Sequence, residues 1–312
     1  MEELGVVVPV HGALAPVHRL LNDLLDGADD SAQRPARIVV VDDASPAPLD
    51  ASSLPDGVDL IRRDVNGGFG AAVNTGLRTL DERGCSLALV LNSDLRIPTG
   101  FARDIVAHAA PWQPAIVGCR NEDEHGRSGY AARTFPTIGH QVVEWLVPLA
   151  SQRHRDVLHR AVGHDLDAER GSGMVPVDWV SGAALLLPIR EVLDAGAFDE
   201  GYFMYTEEVD LQLRMRRLGV PALLDADLTV VHEGGGSSGG EARRRQWLIG
   251  ARMRYARKHG RPALLRAGMT AATGANLVWN TGRRLAGRDV DPIGTAREEL
   301  MLIHRAGRDL PE

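Results

Sequence analysis

The feature that most constrains this chain is a repeated alternation in its first third. Short runs of β-branched and aliphatic residues end on acidic or amide residues and are separated by stretches of helical periodicity. Leu4–Val10 (LGVVVPV) is the first run, and Leu14, Val17, Leu21 and Leu24 follow at helical spacing. Ile38–Val41 ends at Asp42-Asp43, and Asp59–Ile61 forms a short third run. Phe69–Arg83 reads as a helix entered through Asn66-Gly67-Gly68. Leu87–Leu91 ends at Asn92-Ser93-Asp94, Thr99–Ala110 is helical, and Ala115–Cys119 is strand-like. Apolar runs this short suit strands buried on both faces. Strand–helix alternation implies an α/β fold, a mostly parallel Rossmann-like sheet flanked by helices. Polar residues just after such strands lie at the carboxyl edge of the sheet, where ligands bind. Asp42, Asp43 and Asp94 fall there.

The middle of the chain is less regular. Asn121–Gly129 reads as a polar hairpin tip, Val142–Leu158 as helical, and Gly163–Gly173 as a mobile loop. Val177–Pro188 reads as one strand, Arg190–Ala195 as a short helix and Glu207–Leu218 as a longer one. Pro221–Val231 is a last strand, running into His232 and a Gly/Ser stretch. From Glu241 the chain is helical and Arg-rich. The expected organisation is one domain over residues 1–240 and a helical basic extension over 241–312.

Charge separates these two parts. The net charge of -7 argues against coating nucleic acid by bulk electrostatics. Residues 241–290 nevertheless hold 12 Lys+Arg against 2 Asp+Glu. A basic segment on an acidic body suits a local anionic partner, and an anionic membrane surface contacted by Arg243, Arg244, Arg245 and Arg252 is one reading. A solvated amphipathic face is the other. Cys85 and Cys119 form no CxxC and no metal spacing, so neither a disulfide framework nor a zinc site is expected. The acidic start MEELGVVVPV lacks a basic signal-peptide region, and no apolar run is long enough to span a bilayer. The expectation is a cytoplasmic protein, peripheral to the inner face of the plasma membrane if the tail binds lipid.

Four constellations could carry chemistry. Asp42-Asp43-Ala44-Ser45-Pro46 is composed of turn formers; alternatively, one carboxylate accepts the imide N–H of a pyrimidine base. The first strand–helix turn reads Pro9-Val10-His11-Gly12 and lacks GxGxxG, so a dinucleotide cofactor is not supported. Asn92-Ser93-Asp94 offers Asp94 either as a turn cap or as a hard ligand for Mg²⁺ or Mn²⁺ shared with substrate phosphates. Thr206-Glu207-Glu208-Val209-Asp210 puts three acids in one helical turn, where the helix dipole stabilises acids by ~0.3–1 kcal/mol each. An aromatic approach, Gly201-Tyr202-Phe203-Met204-Tyr205, would wall off a pocket and raise one of them toward a useful general base. His232, followed by glycines that let backbone N–H groups approach phosphate, suits a metal–diphosphate.

In order along residues 4–240, seven segments resemble the family 2 glycosyltransferases of the GT-A fold. They are VVVPVHG (6–12), VVVDDAS (39–45), NGGFGAAVNTGL (66–77), LVLNSD (89–94), WVSGAALLLP (179–188), FDEGYFMYTEEVDL (198–211) and VVHEGGGSS (230–238). The long 198–211 match is most similar to the rhamnosyltransferase-like branch, which uses dTDP-L-rhamnose. The resemblance implies that Asp43 binds the base and that Asp94, last of a DxD-like motif, holds the metal with His232. Glu208 occupies the general-base position, with Glu207 in reserve. Pro9 and Val10, Asn66, Gly68 and Asn74, and Asn92 and Ser93 fall at nucleotide-binding positions. Trp179, Ser181 and Gly182 shape the donor–acceptor junction. Two departures stand out: Asn92 replaces the first acid of the DxD-like motif, and the base is Glu where the family pattern has Asp.

The chemistry so implied is inverting transfer from a dTDP- or UDP-sugar, helped by Mg²⁺ or Mn²⁺, to a hydroxyl on a lipid-linked or glycan acceptor, possible carriers including a polyprenyl diphosphate. A soluble natural-product acceptor and a non-catalytic nucleotide-sugar-binding protein are the alternatives. A sugar-1-phosphate nucleotidyltransferase would need a Gly-rich phosphate loop after the first strand, which VPVHGALAP lacks. A homodimer is left open, and no nucleic-acid partner is expected.

Overall fold

A computed structural model of the protein describes residues 3–12, 14–25, 35–152, 154–233 and 240–305. In chain order the elements begin with β1 (Leu4–Val10), α1 (Ala15–Leu25), β2 (Arg37–Asp42), β3 (Val58–Arg62), α2 (Phe69–Glu82), β4 (Leu87–Leu91), β5 (Leu95–Arg96), α3 (Phe101–Ala109) and β6 (Ile116–Glu122). They continue with β7 (Ala132–Arg133), α4 (Ile138–Trp145), α5 (Asp156–Ala161), α6 (Leu166–Glu169), β8 (Met174–Val177), β9 (Trp179–Val180), β10 (Ala184–Pro188), α7 (Ile189–Asp194), α8 (Glu207–Arg217) and β11 (Ala222–His232). Three helices follow, α9 (Glu241–His259), α10 (Pro262–Leu285) and α11 (Pro292–Arg305). The chain divides into two compact units. One comprises Met1–Arg133 and Asp167–Gly239; the other comprises Thr134–Leu166 and Gly240–Glu312.

The first unit is built on a mixed sheet of order β3-β2-β1-β4-β10-β6-β11-β5, with β8 also paired to β11. β3, β2, β1 and β4 run parallel, as do β6 and β11, whereas β10 is antiparallel to both β4 and β6. This is the expected α/β class. The alternation of side chains along a strand explains why β1 is apolar throughout. Val6, Val8 and Val10 face a core shared with α1 and α3, while Val7 faces the opposite core with α2 and α8. The helix–sheet approach is close: a Cβ at Gly76 of α2 would come within 2.4 Å of Val7 on β1.

The middle of the chain departs from its sequence reading in three places. Residues 177–188 are not one strand. The run breaks at Ser181-Gly182, so that β9 pairs with β7 in a separate two-stranded ribbon while β10 enters the main sheet. Residues 163–173 are not a bare loop, because α6 lies within them and Glu169 accepts a hydrogen bond from the Ala132 N–H at 2.6 Å. The expected helix over 142–158 is three pieces, α4, a 3₁₀ segment over Val147–Gln152 and α5, with Pro148 interrupting the ladder. The hairpin tip at 121–129 does form, closed by a bridge between Glu122 and Ser128.

In the second unit, Ile249, Met253, Leu265, Met269 and Ile303 form a small core against Ile138 and Trp145. Trp145 Nε1 donates to Thr273 Oγ1 at 2.9 Å, and Asn276 accepts from the Val147 N–H at 2.9 Å. Two arginines expected to face lipid are used inside this unit. Arg252 is buried and paired with Glu144, and Arg245 lies over the Trp145 ring at 5.4 Å. No helix of the described residues is long and apolar enough to cross a membrane.

Candidate active site

The carboxyl ends of β1, β2 and β4 carry the polar residues singled out above. Pro9 and Val10 close β1 and are buried. The Val10 carbonyl accepts from the Asp43 N–H at 2.8 Å, joining the two strand ends. Asp42 folds its carboxylate back onto its own turn, accepting from the Ser45 N–H at 2.8 Å and pairing with Arg62. Burial would raise its pKa, but those hydrogen bonds outweigh burial and lower it. Asp42 is therefore the turn former of the pair.

Asp43 reaches outward to the next loop. Its two carboxylate oxygens accept from the Gly67 N–H at 3.1 Å and the Gly68 N–H at 2.8 Å, and Arg63 lies 3.1 Å away. Burial pushes the Asp43 pKa up, against the pull of Gly67, Arg63 and Gly68. Asn66 accepts from Gly68 N–H at 3.1 Å, and its amide approaches the His11 ring at 3.2 Å. His11 in turn lies 2.9 Å from the Asp43 carbonyl. Gly68 has φ +84°, and a Cβ there would stand 1.8 Å from the Phe203 carbonyl oxygen. Only glycine fits that left-handed, backbone-to-backbone approach. The 66–68 loop thus rests on the segment that leads into α8.

That segment is strained. Tyr205 and Thr206 are consecutive non-glycine residues at φ 71° and 72°. Two left-handed residues in a row cost on the order of 1–3 kcal/mol each and persist where the surroundings over-determine them. They deliver Glu207 and Glu208 into the first turn of α8. Glu207 is buried, and its Cβ lies 3.7 Å from where a Cβ on Gly70 would sit. Glu208 turns toward Gly182, whose absent Cβ would lie 3.5 Å from Glu208 Cγ. The Oε2 atom of each is buried without a hydrogen-bond partner. Burial raises the pKa of both. For Glu207 the neighbouring Glu208 charge adds to it, so it stays protonated to higher pH. For Glu208 the backbone N–H groups of the helix start and Arg133 work against burial. Asp210, the third acid, is structural: it pairs with Arg214 at 2.9 Å, and Arg214 also donates to the Ala195 and Ala197 carbonyls.

Asp94 and His232, expected to act together, meet. The Nε2 atom of His232, at the end of β11, lies 3.1 Å from Asp94 Oδ1. Burial would raise the Asp94 pKa, but the hydrogen bond and charge of His232 lower it. Asn92 places this pair relative to Glu208, because its N–H donates to the Ala183 carbonyl at 2.9 Å, next to Gly182. Asn92 and Ser93 are both half-buried on that turn. Among the described residues no cluster of three or more His, Cys, Asp or Glu could hold a metal ion. One carboxylate and one imidazole do fit a Mn²⁺ or Mg²⁺ whose remaining positions go to phosphate and water. The glycines expected to approach phosphate, 234–239, lie outside the described residues.

Other expected residues have different placements. The Asn74 amide is buried within the scaffold, exchanging hydrogen bonds with the Phe198 backbone at 2.9 Å and donating to Glu200 at 2.9 Å. Its side chain is taken up in joining α2 to the 198–200 turn, which displaces the expected nucleotide contact. Ser181 sits at the β9–β10 break, its N–H on the Ala131 carbonyl at 2.9 Å. Trp179 is nearly buried, with the Arg133 guanidinium 5.5 Å from its ring. The local sequence gives no sign of a role for Arg133. Arg133 joins the site only through the β7–β9 pairing, which local periodicity does not encode. Arg63, three residues before Asn66, carried a weak signal as a cation flanking a glycine loop.

Residues 5–159, about half of the chain, match the family model described as glycosyl transferase family 2. The chain carries a family 2 glycosyltransferase domain. The transferase is 27% identical over 223 residues to the N-acetylglucosaminyl-diphospho-decaprenol L-rhamnosyltransferase of Mycobacterium tuberculosis, covering 67% of this chain and 70% of that protein. It is 28% identical over 91 residues to the rhamnosyltransferase WbbL of Escherichia coli, covering 29% of this chain and 30% of that one. Among solved structures, GalNAc-T7 with UDP, GalNAc and Mn²⁺ superposes with a TM-score of 0.54 at 14% identity, over 81% of this chain and 47% of that chain. That likeness is one of fold, and the fold is GT-A. The transferase is thus a hexosyltransferase of family 2 that is similar to rhamnosyltransferases.

Proposed function

We propose that this transferase moves a hexose, by inversion, from a pyrimidine nucleotide sugar to a hydroxyl of a lipid-linked or glycan acceptor in cell-envelope polysaccharide synthesis. L-Rhamnose from dTDP-rhamnose is the donor favoured, because two relatives are named as rhamnosyltransferases and one of them as acting on a decaprenol-linked sugar. One observation carries the reading. The turn that carries Asp94, itself paired with His232, is tied through the Asn92 N–H to the Ala183 carbonyl, and Glu208 packs on the adjacent Gly182, in the same sheet unit where Asp43 organises the 66–68 loop.

In this reading the nucleotide lies over the ends of β1, β2 and β4, with Asp43 toward the base. Glu208 takes the proton of the acceptor hydroxyl as that oxygen bonds to the anomeric carbon and the bond to the diphosphate breaks. General-base help of this kind is worth ~10²–10⁴-fold. A diphosphate leaves as an anion and needs no protonation, so one carboxylate suffices, unlike glycoside hydrolysis. Asp94 and His232 would hold Mg²⁺ or Mn²⁺, which when bound supplies charge neutralisation at the diphosphate. Trp179 and Arg133 would wall the acceptor side of Glu208, and the aromatic approach to α8 would exclude water.

A thermal-shift screen of dTDP-, UDP- and GDP-sugars with Mg²⁺, Mn²⁺ or EDTA tests the donor side. A ligand at about 100 times its Kd stabilises the folded chain by about 2.7 kcal/mol. The expected result is stabilisation by dTDP- or UDP-sugars that weakens in EDTA and in Asp94→Asn. Stabilisation by GDP-sugars alone would overturn the pyrimidine assignment.

A further inference from the structure

The second unit exposes a surface that catalysis does not use. Between Arg266 and Arg283, α10 carries no charged residue. Its inner face is accounted for by Leu265, Met269, Ala272, Thr273, Asn276 and Asn280, all buried. Its outer face, Ala271, Gly274, Ala275, Val278, Gly282 and Leu285, recurs at helical spacing and is exposed throughout. Val278 is 74% exposed, Leu285 85%, and the neighbouring Trp279 47%. Ile293, at the start of α11, is 76% exposed. A helix face turned to water is ordinarily polar or charged; this one is uncharged and, Thr281 at its edge excepted, apolar.

The charges sit at its end. Arg283, Arg284 and Arg288 are exposed around the α10–α11 turn, outnumbering Asp289 and Asp291, which are exposed in the same turn. Arginine carries an aliphatic stem that can lie along an apolar surface while its guanidinium stays in the polar layer. Tryptophan belongs to the same boundary, with an apolar ring and one N–H. An uncharged stripe, a boundary tryptophan and a terminal arginine cluster, on a helix too polar to span a bilayer, describe an element that lies in a lipid interface. The arginines match anionic headgroups.

We propose that the outer face of α10 and the α10–α11 turn dock onto an anionic phospholipid surface, with Val278, Trp279, Leu285 and Ile293 entering the headgroup boundary and Arg283, Arg284 and Arg288 on the headgroups. This deepens the lipid-linked acceptor reading and rests on it for its purpose, though not for its residues. It also moves the membrane contact from the arginines of α9, two of which are used internally, to the far end of α10.

The test is flotation of the full chain with phosphatidylcholine vesicles, with and without phosphatidylglycerol, at low and high salt. Binding is expected to favour the anionic vesicles by about tenfold or more and to weaken with salt. Leu285→Glu with Ile293→Glu, and separately Arg283→Gln, Arg284→Gln and Arg288→Gln together, should each lower binding about tenfold while the circular dichroism spectrum and melting temperature stay as in wild type. A blue shift of tryptophan emission on vesicle addition should be lost in Trp279→Phe. No binding, or equal binding by wild type and variants, overturns the proposal. So does a dimer in sedimentation velocity that Leu285→Glu dissociates, because a second copy then covers the face. Transfer to a soluble acceptor analogue should be unchanged in these variants. Failure of that transfer in wild type, with vesicle binding intact, counts against the enzymatic reading alone.

Discussion

Glu207 and Glu208 are neighbours in sequence, yet a proton on each does different work. Glu208 faces Gly182, and the helix-start N–H groups and Arg133 partly offset the effect of burial on it. Glu207 is enclosed near Gly70 and Phe198, with both burial and the Glu208 charge favouring its neutral form. A carboxyl whose folded pKa lies above its unfolded value binds its proton more tightly when folded. Stability is then greatest below the ordinary carboxylate range and falls as pH rises toward the raised value. Glu207→Gln should therefore remove the loss of melting temperature that wild type shows as pH rises. It should leave the acid limb of the rate profile where Glu208 sets it. Melting curves and rates from pH 5 to 9 check both. A variant with no activity and an unchanged stability profile would transfer the base role to Glu207.

At the scale of elements, the 66–68 loop is the hinge of the site's geometry. Asp43 holds it from one side and the Phe203 carbonyl meets it from the other. Gly68→Ala must either move Phe203 or relinquish the left-handed turn. Either way the strained approach to Glu208 loosens. A loss of about 1–3 kcal/mol in chemical denaturation is expected, with weaker donor binding; a wild-type melt and affinity would contradict the contact. The strands and helices of the first third were readable because burial on both faces leaves uninterrupted Val and Leu runs. The β9–β10 break was not, since Ala184–Pro188 continues the apolar run and the neighbour packed against Gly182 at the break is Glu208, distant in sequence. Likewise, α6 is justified by the Glu169–Ala132 hydrogen bond, and the buried use of Asn74 by Phe198 and Glu200. Tertiary partners of this kind leave no local period.

At the scale of the whole molecule, the proposed reading gives the two compact units different tasks. The Met1–Arg133 and Asp167–Gly239 unit carries every residue assigned to chemistry, and the other carries the surface assigned to lipid. The order of motifs along the chain was informative for the first unit because its ligand edge collects strand ends from across the sequence. The placement of Asp43 and Asp94 after strands and of Glu208 at a helix start was legible. His11 and Arg133 were not, since each is recruited by a partner, and Arg63 carried only the weak signal of a cation before a glycine loop. For the second unit, local charge was a misleading guide to exposure: Arg252 is buried against Glu144. In the proposed reading, sugar transfer here depends on Glu208 as base. Its most direct test is transfer from dTDP-rhamnose and UDP-sugars to a polyprenyl-diphosphate-linked sugar, by wild type and Glu208→Gln, with donor affinity measured in parallel. The expected result is turnover by wild type, a loss of ~10²–10⁴-fold in kcat for the variant, and unchanged donor affinity. Turnover in Glu208→Gln within a few-fold of wild type would contradict the account.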